Sequence, residues 1–327
     1  MTLVPDILAP AMAAAAEAVT VSEDGLTAAV AEETVEADSP AKLALRLSQT
    51  LYQVVHVGRS KAESSRPRSL RDARFDGLLE AAMPHTETLT GAVVHDHTED
   101  GLLVASLGGG LRVLLPATAP SGKLPDRLPA AVSVRLPAAR PALSTGFFLT
   151  DGSAGTGVGA GPHTLRVYVH IGEADAAPAV WGAVLTVLEE QGLPYRAKVT
   201  SNPRMFPRRD GLVCYLPPKS WPVVPALAER ISGMLGVRED VSPFTHRVAP
   251  GVSVSWEPQD QRPGMSVLSF GEHRSAALAQ AVVRYRMHPE GTSQAAVLVE
   301  TCMDAGIDPL SPARNLVSPA LPSVGLM

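Results

Sequence analysis

Cysteine is scarce in this chain, which has only two among its 327 residues, Cys214 and Cys302. So few thiols exclude a disulfide-stabilised scaffold and are typical of a reducing compartment. Long apolar runs are also missing, since no stretch approaches the roughly 18 consecutive apolar residues of a membrane span. The first residues lack the positively charged segment of a signal peptide, so we expect a cytoplasmic protein without a membrane partner.

An excess of basic residues is missing as well, because 33 acidic side chains outnumber 28 basic ones and give a formal net charge of −5. A generic nucleic-acid binder would show the opposite balance. Residues 1–41 carry acidic side chains but no lysine or arginine, which leaves a slight basic excess in the remainder. Because such a tract repels itself, we predict that residues 1–40 form a mobile arm, either a solvated leader or a docking segment for a partner.

Apolar residues make up 45% of the chain, which is enough to bury a substantial core. A length of 327 residues suggests about two domains, and the pattern predicts an α+β protein. The predicted parts after the arm are an N-terminal α+β domain at 41–150, a glycine-rich linker at 151–162, an α/β domain at 163–290, and a C-terminal helix and tail at 291–327.

The first domain begins with an amphipathic helix at 41–56 and continues in antiparallel strands. The second alternates strand, helix and strand, which predicts a crossover unit in an α/β sheet. Its predicted elements are strands at 164–171, 194–200 and 211–216 and helices at 178–191, 221–235 and 275–285. The glycines at 151–162 could be taken for a phosphate-binding loop, but the segment after them alternates like a strand, whereas such a loop opens a helix.

The strand after the linker carries Arg166, Tyr168 and His170 on one face. An alternating polar face is typical of the solvent side of a sheet. An arginine, a phenol and an imidazole could also bind an anion and move protons.

The second strand carries Arg196 and Lys198, and the basic stretch after it adds Arg204, Arg208 and Arg209. No acidic residue lies between Glu190 and Asp210 to neutralise these five cations. They could form a basic surface loop, but neighbouring strands could also bring Lys198 close to the face that carries Arg166. Guanidinium groups bind phosphate in a bidentate manner. Nearby positive charge lowers the pKa of a lysine, so a lysine among arginines can act as a general base.

Two His-Arg pairs, His246-Arg247 and His273-Arg274, are weaker candidates for the same site. The pair His95 and His97 lacks a third ligand at a suitable spacing, so no metal site is predicted. Cys214 is predicted to be a small buried residue in an apolar strand. No nucleophile-elbow pattern accompanies the serines, which argues against a serine hydrolase.

Five motifs resemble, in this order, the HopA-like type III effector family: RVY at 166–168, AKV at 197–199, RRDGLVCY at 208–215, FTHRVAPG at 244–251 and FGEHR at 270–274. Looser similarity extends to Leu51-Tyr52 and to 134–148, and the resemblance covers roughly residues 45–290. Actinobacterial members of this family resemble the lyase partners of class V lanthipeptide and thioamitide systems. Two positions depart from the family, which often has Asn in place of His170 and Lys in place of His246.

The resemblance implies a lyase that eliminates phosphate from phosphoserine or phosphothreonine of a ribosomal precursor peptide and leaves dehydroalanine or dehydrobutyrine. A phosphotransferase-like kinase, in complex with this chain, would supply the phosphorylated peptide. No metal or organic cofactor is implied.

In this scheme Lys198 is the base, and His170 or Tyr168 is the general acid. The predicted phosphate- and substrate-binding residues are Arg166, Arg208, Arg247, Arg274, Thr245 and His273. Arginines stabilise the charge that grows on the leaving phosphate. Two other functions remain open on this basis: a non-catalytic scaffold that binds phosphopeptide or stabilises the kinase, and a cyclase that forms thioethers.

Overall fold

The computed structural model describes residues 8–59, 67, 69–159, 163–289 and 291–320. Its α-helices are α1 (Pro10–Glu17), α2 (Pro40–Leu51), α3 (Ala73–Ala81), α4 (Ala177–Glu190), α5 (Val224–Ile231), α6 (Phe270–Met287) and α7 (Gln294–Asp304). A π-helical turn at Tyr52–Val57 continues α2. None of the helices in these ranges has the length and apolar character needed to cross a membrane.

The strands pair in antiparallel fashion and form three sheets. They are β1 (Val19–Val21), β2 (Thr27–Val30), β3 (Glu33–Glu36), β4 (Glu87–His97), β5 (Leu103–Ser106), β6 (Arg112–Leu115), β7 (Ala130–Pro137), β8 (Phe147–Asp151), β9 (Leu165–Ile171), β10 (Arg196–Thr200), β11 (Arg208–Leu216), β12 (His246–Ala249) and β13 (Val252–Trp256). The mixture of helices and antiparallel sheets confirms the predicted α+β class.

The largest sheet has six strands in the order β12-β13-β9-β11-β10-β8. The predicted strand–helix–strand unit is β9-α4-β10. Because β11 lies between β9 and β10 and is antiparallel to both, the crossover spans an intervening strand. Strand β8, at the end of the predicted first domain, pairs with β10 and so belongs to the sheet of the second.

The six-stranded sheet has an apolar face and a polar face. Val167 of β9, Val199 of β10 and Leu212 of β11 belong to the apolar face, which packs against α4 and α5 in the main core. The polar face is covered in part by α2, the π-helical turn and α6, which form a second core. A third, smaller core lies on one side of the four-stranded sheet β6-β5-β4-β7.

The acidic N-terminal segment is folded over residues 8–40, in contrast to the expected mobile arm. Met12 and Ala16 of α1 are buried in the second core with Leu43 and Leu47 of α2. Strands β1–β3 form a sheet against the same helices, and the acidic side chain of Glu17 faces solvent. The acidic residues of this segment lie on its outer surface and do not prevent folding. Its packing depends on a few buried alanine, valine and methionine side chains. Residues 1–7 lie outside the described part.

The glycine-rich segment packs against its neighbours in its described part, residues 151–159, whereas a free linker was expected. The amide of Gly152 donates to the carbonyl oxygen of Tyr195 at 2.9 Å, and the amide of Tyr195 donates to the carbonyl oxygen of Gly155 at 3.0 Å. Gly155 has a φ of +91°, and a Cβ there would lie 2.8 Å from the carbonyl oxygen of Leu89. Glycine is therefore required by close backbone approach. Residues 160–162 of the predicted linker lie outside the described part.

Two predicted helices differ from the observed ones in their bounds. The helix predicted at 221–235 is α5, which is shorter because Pro222 lies in a 3₁₀ segment before it and Gly233 adopts a φ of +80° after it. Leu235, the last residue of the predicted helix, is 91% exposed. The helix predicted at 275–285 begins earlier, because Ser269 and Glu272 form a capping box at the start of α6.

We predict that α1 contributes to global stability. Met12 is fully buried, so Met12→Ala should lower the free energy of unfolding by about 2–5 kcal/mol through lost burial and a residual cavity. Chemical denaturation measures this change. The matched control is Glu32→Ala at an exposed position of the same segment, which should have little effect. Equal effects of the two substitutions would mean that α1 is not part of the cooperative unit.

Candidate functional site

The polar face of the six-stranded sheet carries the candidate site, and strand register decides which residues share a row. Lys198 pairs with Val213, and Val213 pairs with Tyr168. In the next row Arg196 pairs with Tyr215, and Tyr215 pairs with Arg166. Since directly paired residues lie on the same face, Lys198 and Arg166 share the polar face.

Two aromatic rings connect Lys198 with two arginines. The Lys198 Nζ lies 4.2 Å from the ring centroid of Phe147 and 5.7 Å from that of Tyr215. The Arg208 Cζ lies 5.5 Å from the same Phe147 centroid, and the Arg166 Cζ lies 5.0 Å from the same Tyr215 centroid. A cation within about 6 Å of a ring face is attracted by its quadrupole. We call these five residues the Lys198 cluster.

Arg208 is held by a buried carboxylate on its own strand. Its Nε donates to Asp210 Oδ1 at 2.8 Å, and its Nη2 donates to Asp210 Oδ2 at 3.0 Å. Burial alone would raise the pKa of Asp210, but the Arg208 guanidinium outweighs it and holds this pKa below the usual range. The Tyr52 hydroxyl donates to Asp210 at 3.1 Å and accepts from Arg208 at 3.3 Å, and burial raises its pKa.

Arg166 is held by Glu257 in a similar bidentate pair. Its Nε bonds to Glu257 Oε2, and its Nη2 donates to Glu257 Oε1 at 2.5 Å. The Nη1 atoms of Arg166 and Arg208 make no hydrogen bond within the described residues. Each carboxylate therefore fixes the orientation of its arginine and leaves one end of the guanidinium available to an anion.

Lys198 differs from the arginines because no carboxylate forms an ion pair with its amine in the described chain, although its charge contributes to the lowered pKa of Asp210. The Lys198 side chain is half-buried, and its amine makes no hydrogen bond or ion pair with the part of the chain that the structure describes. Its ring contacts are those to Phe147 and Tyr215. The Lys198 cluster therefore has one half-exposed amine between two positioned guanidinium groups.

Of the two proposed general acids, Tyr168 is buried beneath the covering helices. Its ring contacts His56 and Phe270, and its hydroxyl lies 3.3 Å from Ser255 Oγ. Burial raises the pKa of Tyr168, which favours the neutral phenol.

His170, the other proposed acid, lies one row further along β9. Its Nδ1 lies 3.0 Å from Asp240 Oδ1 and 2.9 Å from the Asp240 carbonyl oxygen. Burial lowers the pKa of His170. Asp240 also pairs with Arg209 at 2.7 Å, so the contacts of His170 lead towards Arg209 and away from the Lys198 cluster.

Arg274 and His273 do not join the Lys198 cluster. The Arg274 guanidinium is fully buried and bonds to the carbonyl oxygens of Pro312 and Arg314 and to Asn315 Oδ1, at 2.8–3.0 Å. These contacts tie the segment after α7 to α6. His273 pairs with Asp260 at 2.9 Å and also contacts Arg274. Burial lowers the pKa of Arg274 to about 9 and that of His273 to about 4.

Thr245 and Arg247 lie near the opposite edge of the sheet. The Thr245 hydroxyl donates to the carbonyl oxygen of Ser242 at 2.7 Å. Arg247 is exposed on the edge strand β12 and pairs with Ser253 in the same row as Lys198. Four strand spacings, about 19 Å between the backbones, separate Arg247 on β12 from Lys198 on β10.

Sequence reasoning did not select four residues of the site: Phe147 and Tyr215 of the Lys198 cluster, and Asp210 and Glu257, which hold its arginines. The spacing of Arg208 and Asp210 on one strand was a usable signal, since residues i and i+2 share a face. The Arg166–Glu257 pair had no local signal because 91 positions separate its members. In the described residues no three His, Cys, Asp or Glu side chains are grouped as a metal site would require.

The fold and site define an α+β protein with a partly buried cationic sheet face. Comparison with protein families matches the HopA1 effector protein family over residues 138–314, which is more than half of the chain. The chain therefore belongs to this family, as the resemblance suggested. No curated protein matches the chain.

Two solved structures are similar to the chain. One is an effector protein from Pseudomonas syringae pv. tomato strain DC3000, with 14% identity, a TM-score of 0.45, and coverage of 84% of this chain and 95% of that one. The other is an effector protein from Pseudomonas syringae pv. syringae strain 61, with 11% identity, a TM-score of 0.41, and coverage of 84% and 98%.

We predict that Asp210 stabilises the folded site through its charge. Asp210→Asn leaves the buried Arg208 uncompensated and should lower the free energy of unfolding by about 3–5 kcal/mol at neutral pH. Because the folded pKa of Asp210 is lowered, its contribution is present above about pH 4 and is lost as the pH falls through the folded pKa.

The difference between wild type and Asp210→Asn should therefore shrink in acid, as measured by denaturation at several pH values. Asp38→Asn is the control, since the Asp38–Lys42 pair is exposed and should contribute little. A difference between wild type and Asp210→Asn that does not change with pH would contradict the role of the charge.

Proposed function

We propose that the protein is a lyase that eliminates phosphate from phosphoserine or phosphothreonine in a peptide, with Lys198 as the base. The observation that carries this proposal is the half-exposed Lys198 amine, which lacks a carboxylate partner in the described chain and lies between Arg166 and Arg208. The nearby carboxylate of Asp210 is hydrogen-bonded to Arg208 and makes no ion pair with the amine in the described chain.

The reaction needs a base, an anion site and a proton donor. The Lys198 amine removes the Cα proton, and the electrons of that C–H bond form the Cα–Cβ double bond. The Cβ–O bond breaks and its electrons leave with the phosphate. The free Nη1 ends of Arg166 and Arg208 bind the phosphate oxygens and stabilise the charge that develops on them. The protein is left with a protonated Lys198, which returns its proton to solvent.

Three residues are candidates for the proton donor. Tyr168 bonds to Ser255, which pairs with Arg166 across the sheet, and His170 bonds to Asp240. The hydroxyl that does contact Arg208 is that of Tyr52, at 3.3 Å. A phosphate on Arg208 would lie close to this neutral phenol, so Tyr52 joins His170 and Tyr168 as a candidate donor.

The proposed substrate is a ribosomal precursor peptide phosphorylated by a phosphotransferase-like kinase, and the proposed product carries dehydroalanine or dehydrobutyrine. This pathway assignment rests on the resemblance of the sequence motifs. A scaffold that binds phosphopeptide without chemistry would use the same arginines, so the role of Lys198 distinguishes the two functions.

We predict that Lys198→Ala abolishes elimination because it removes the base. Loss of a general base costs about 10²–10⁴-fold in rate. The wild type is incubated with a phosphothreonine peptide, and mass spectrometry measures the loss of phosphoric acid. Lys198→Arg should also be inactive, since it keeps the charge but not the basic amine. Lys219→Ala, at an exposed lysine after β11, is the control and should retain full activity.

The same variants test binding. Lys198→Ala should still bind the phosphopeptide through Arg166 and Arg208, as measured by fluorescence anisotropy. If the wild type binds the peptide but releases no phosphate, the scaffold function is correct and the lyase proposal is wrong. Full activity of Lys198→Ala would remove Lys198 from the mechanism.

A further inference from the structure

Thr200 is a buried residue whose hydroxyl has no partner. It ends β10 and is completely buried, and its Oγ1 makes no hydrogen bond in the described part of the chain. Such a group lowers stability, because it loses its hydrogen bonds to water without replacement. The unpaired hydroxyl of Thr200 therefore needs a functional explanation.

The position of Thr200 relates it to the Lys198 cluster. Thr200 lies two residues after Lys198, so both are on the polar face with Cα atoms about 6.7 Å apart. Thr200 pairs with Phe147 across β10 and β8. Since the Lys198 Nζ lies 4.2 Å from the Phe147 ring centroid, the lysine side chain leans towards the Thr200–Phe147 pair.

We propose that Thr200 is a positioning residue for Lys198, an inference that rests on the proposed lyase function. When the amine is neutral, its N–H donates to Thr200 Oγ1, and the nitrogen lone pair is aimed at the Cα proton of the substrate. The proton then moves from Cα to Nζ, and the C–H electrons form the double bond as the phosphate leaves. No further reactant is required.

The aromatic rings alone cannot hold a neutral amine. An ammonium group is attracted by the Phe147 and Tyr215 rings through its charge, but this attraction largely disappears when the proton is lost. A neutral amine retains two N–H donors, and the buried hydroxyl of Thr200 offers an unused acceptor.

Thr200→Val tests the inference, since it removes the hydroxyl and keeps the shape. We expect kcat for the phosphothreonine peptide to fall about tenfold with KM unchanged, the size expected for one lost hydrogen bond. Thr200→Ser should restore most of the rate. The unfolding midpoint of Thr200→Val should be no lower than that of the wild type, because no hydrogen bond of the free protein is lost.

Ser275→Ala is the matched control. Ser275 is also fully buried, and its Oγ also lacks a partner within the described residues, but it lies on α6 outside the Lys198 cluster. This variant should leave both kcat and the unfolding midpoint unchanged. A wild-type kcat in Thr200→Val, a loss of stability parallel to the loss of rate, or failure of Thr200→Ser to restore the rate would overturn the role of Thr200.

A second readout separates this inference from the lyase function itself. Reductive methylation followed by mass spectrometry measures the reactivity of individual lysine amines. Thr200→Val should slow the labelling of Lys198 relative to wild type and leave that of Lys219 unchanged. Equal Lys198 labelling in both proteins would overturn the positioning role, whereas a wild type without phosphate release would contradict only the proposed function.

Discussion

Two arginine–carboxylate pairs organise the polar face of the six-stranded sheet. Arg208 pairs with Asp210 on its own strand, and Arg166 pairs with Glu257 after β13. Because both guanidinium groups and Asp210 are buried, and Glu257 is partly exposed, removal of either carboxylate would leave a buried charge uncompensated. Both arginines are thereby held in one orientation at the Lys198 cluster, and Lys198 remains without a carboxylate of its own.

The cover over this face controls which parts of it a substrate can reach. Helix α2, its π-helical continuation and α6 bury Tyr168 together with His56, whose pKa burial lowers to about 4. The part of the face near Lys198 remains half-exposed. The N-terminal segment supports this cover, since α1 packs in the same core as α2 and α6. The candidate site therefore depends on the second core, in which α1, α2 and α6 pack together.

Membership of the HopA1 effector family and the α+β fold are established, and the chemistry rests on the residues of the site. The arginines alone would suit a binding protein as well as an enzyme. An amine that is neither paired nor fully buried in the described chain is what favours elimination chemistry. Arg274 shows how a family motif can have another role, because its fully buried guanidinium makes four hydrogen bonds, three of which fasten the C-terminal segment.

The sequence by itself determined the class of fold, most strand positions and the shared face of Arg166, Tyr168 and His170, because alternation along one strand is a local property. The register of β9, β11 and β10 placed Lys198 on that face. The sequence also indicated Lys198 as the distinctive residue among the cations. Tertiary structure alone decided which cations are neutralised: Asp151 pairs with Arg196 and Asp240 with Arg209, although no acidic residue lies between Glu190 and Asp210. The acidic partners of these arginines are distant in the sequence and are brought close by strand register and loop packing. A count of charges along the chain cannot identify them.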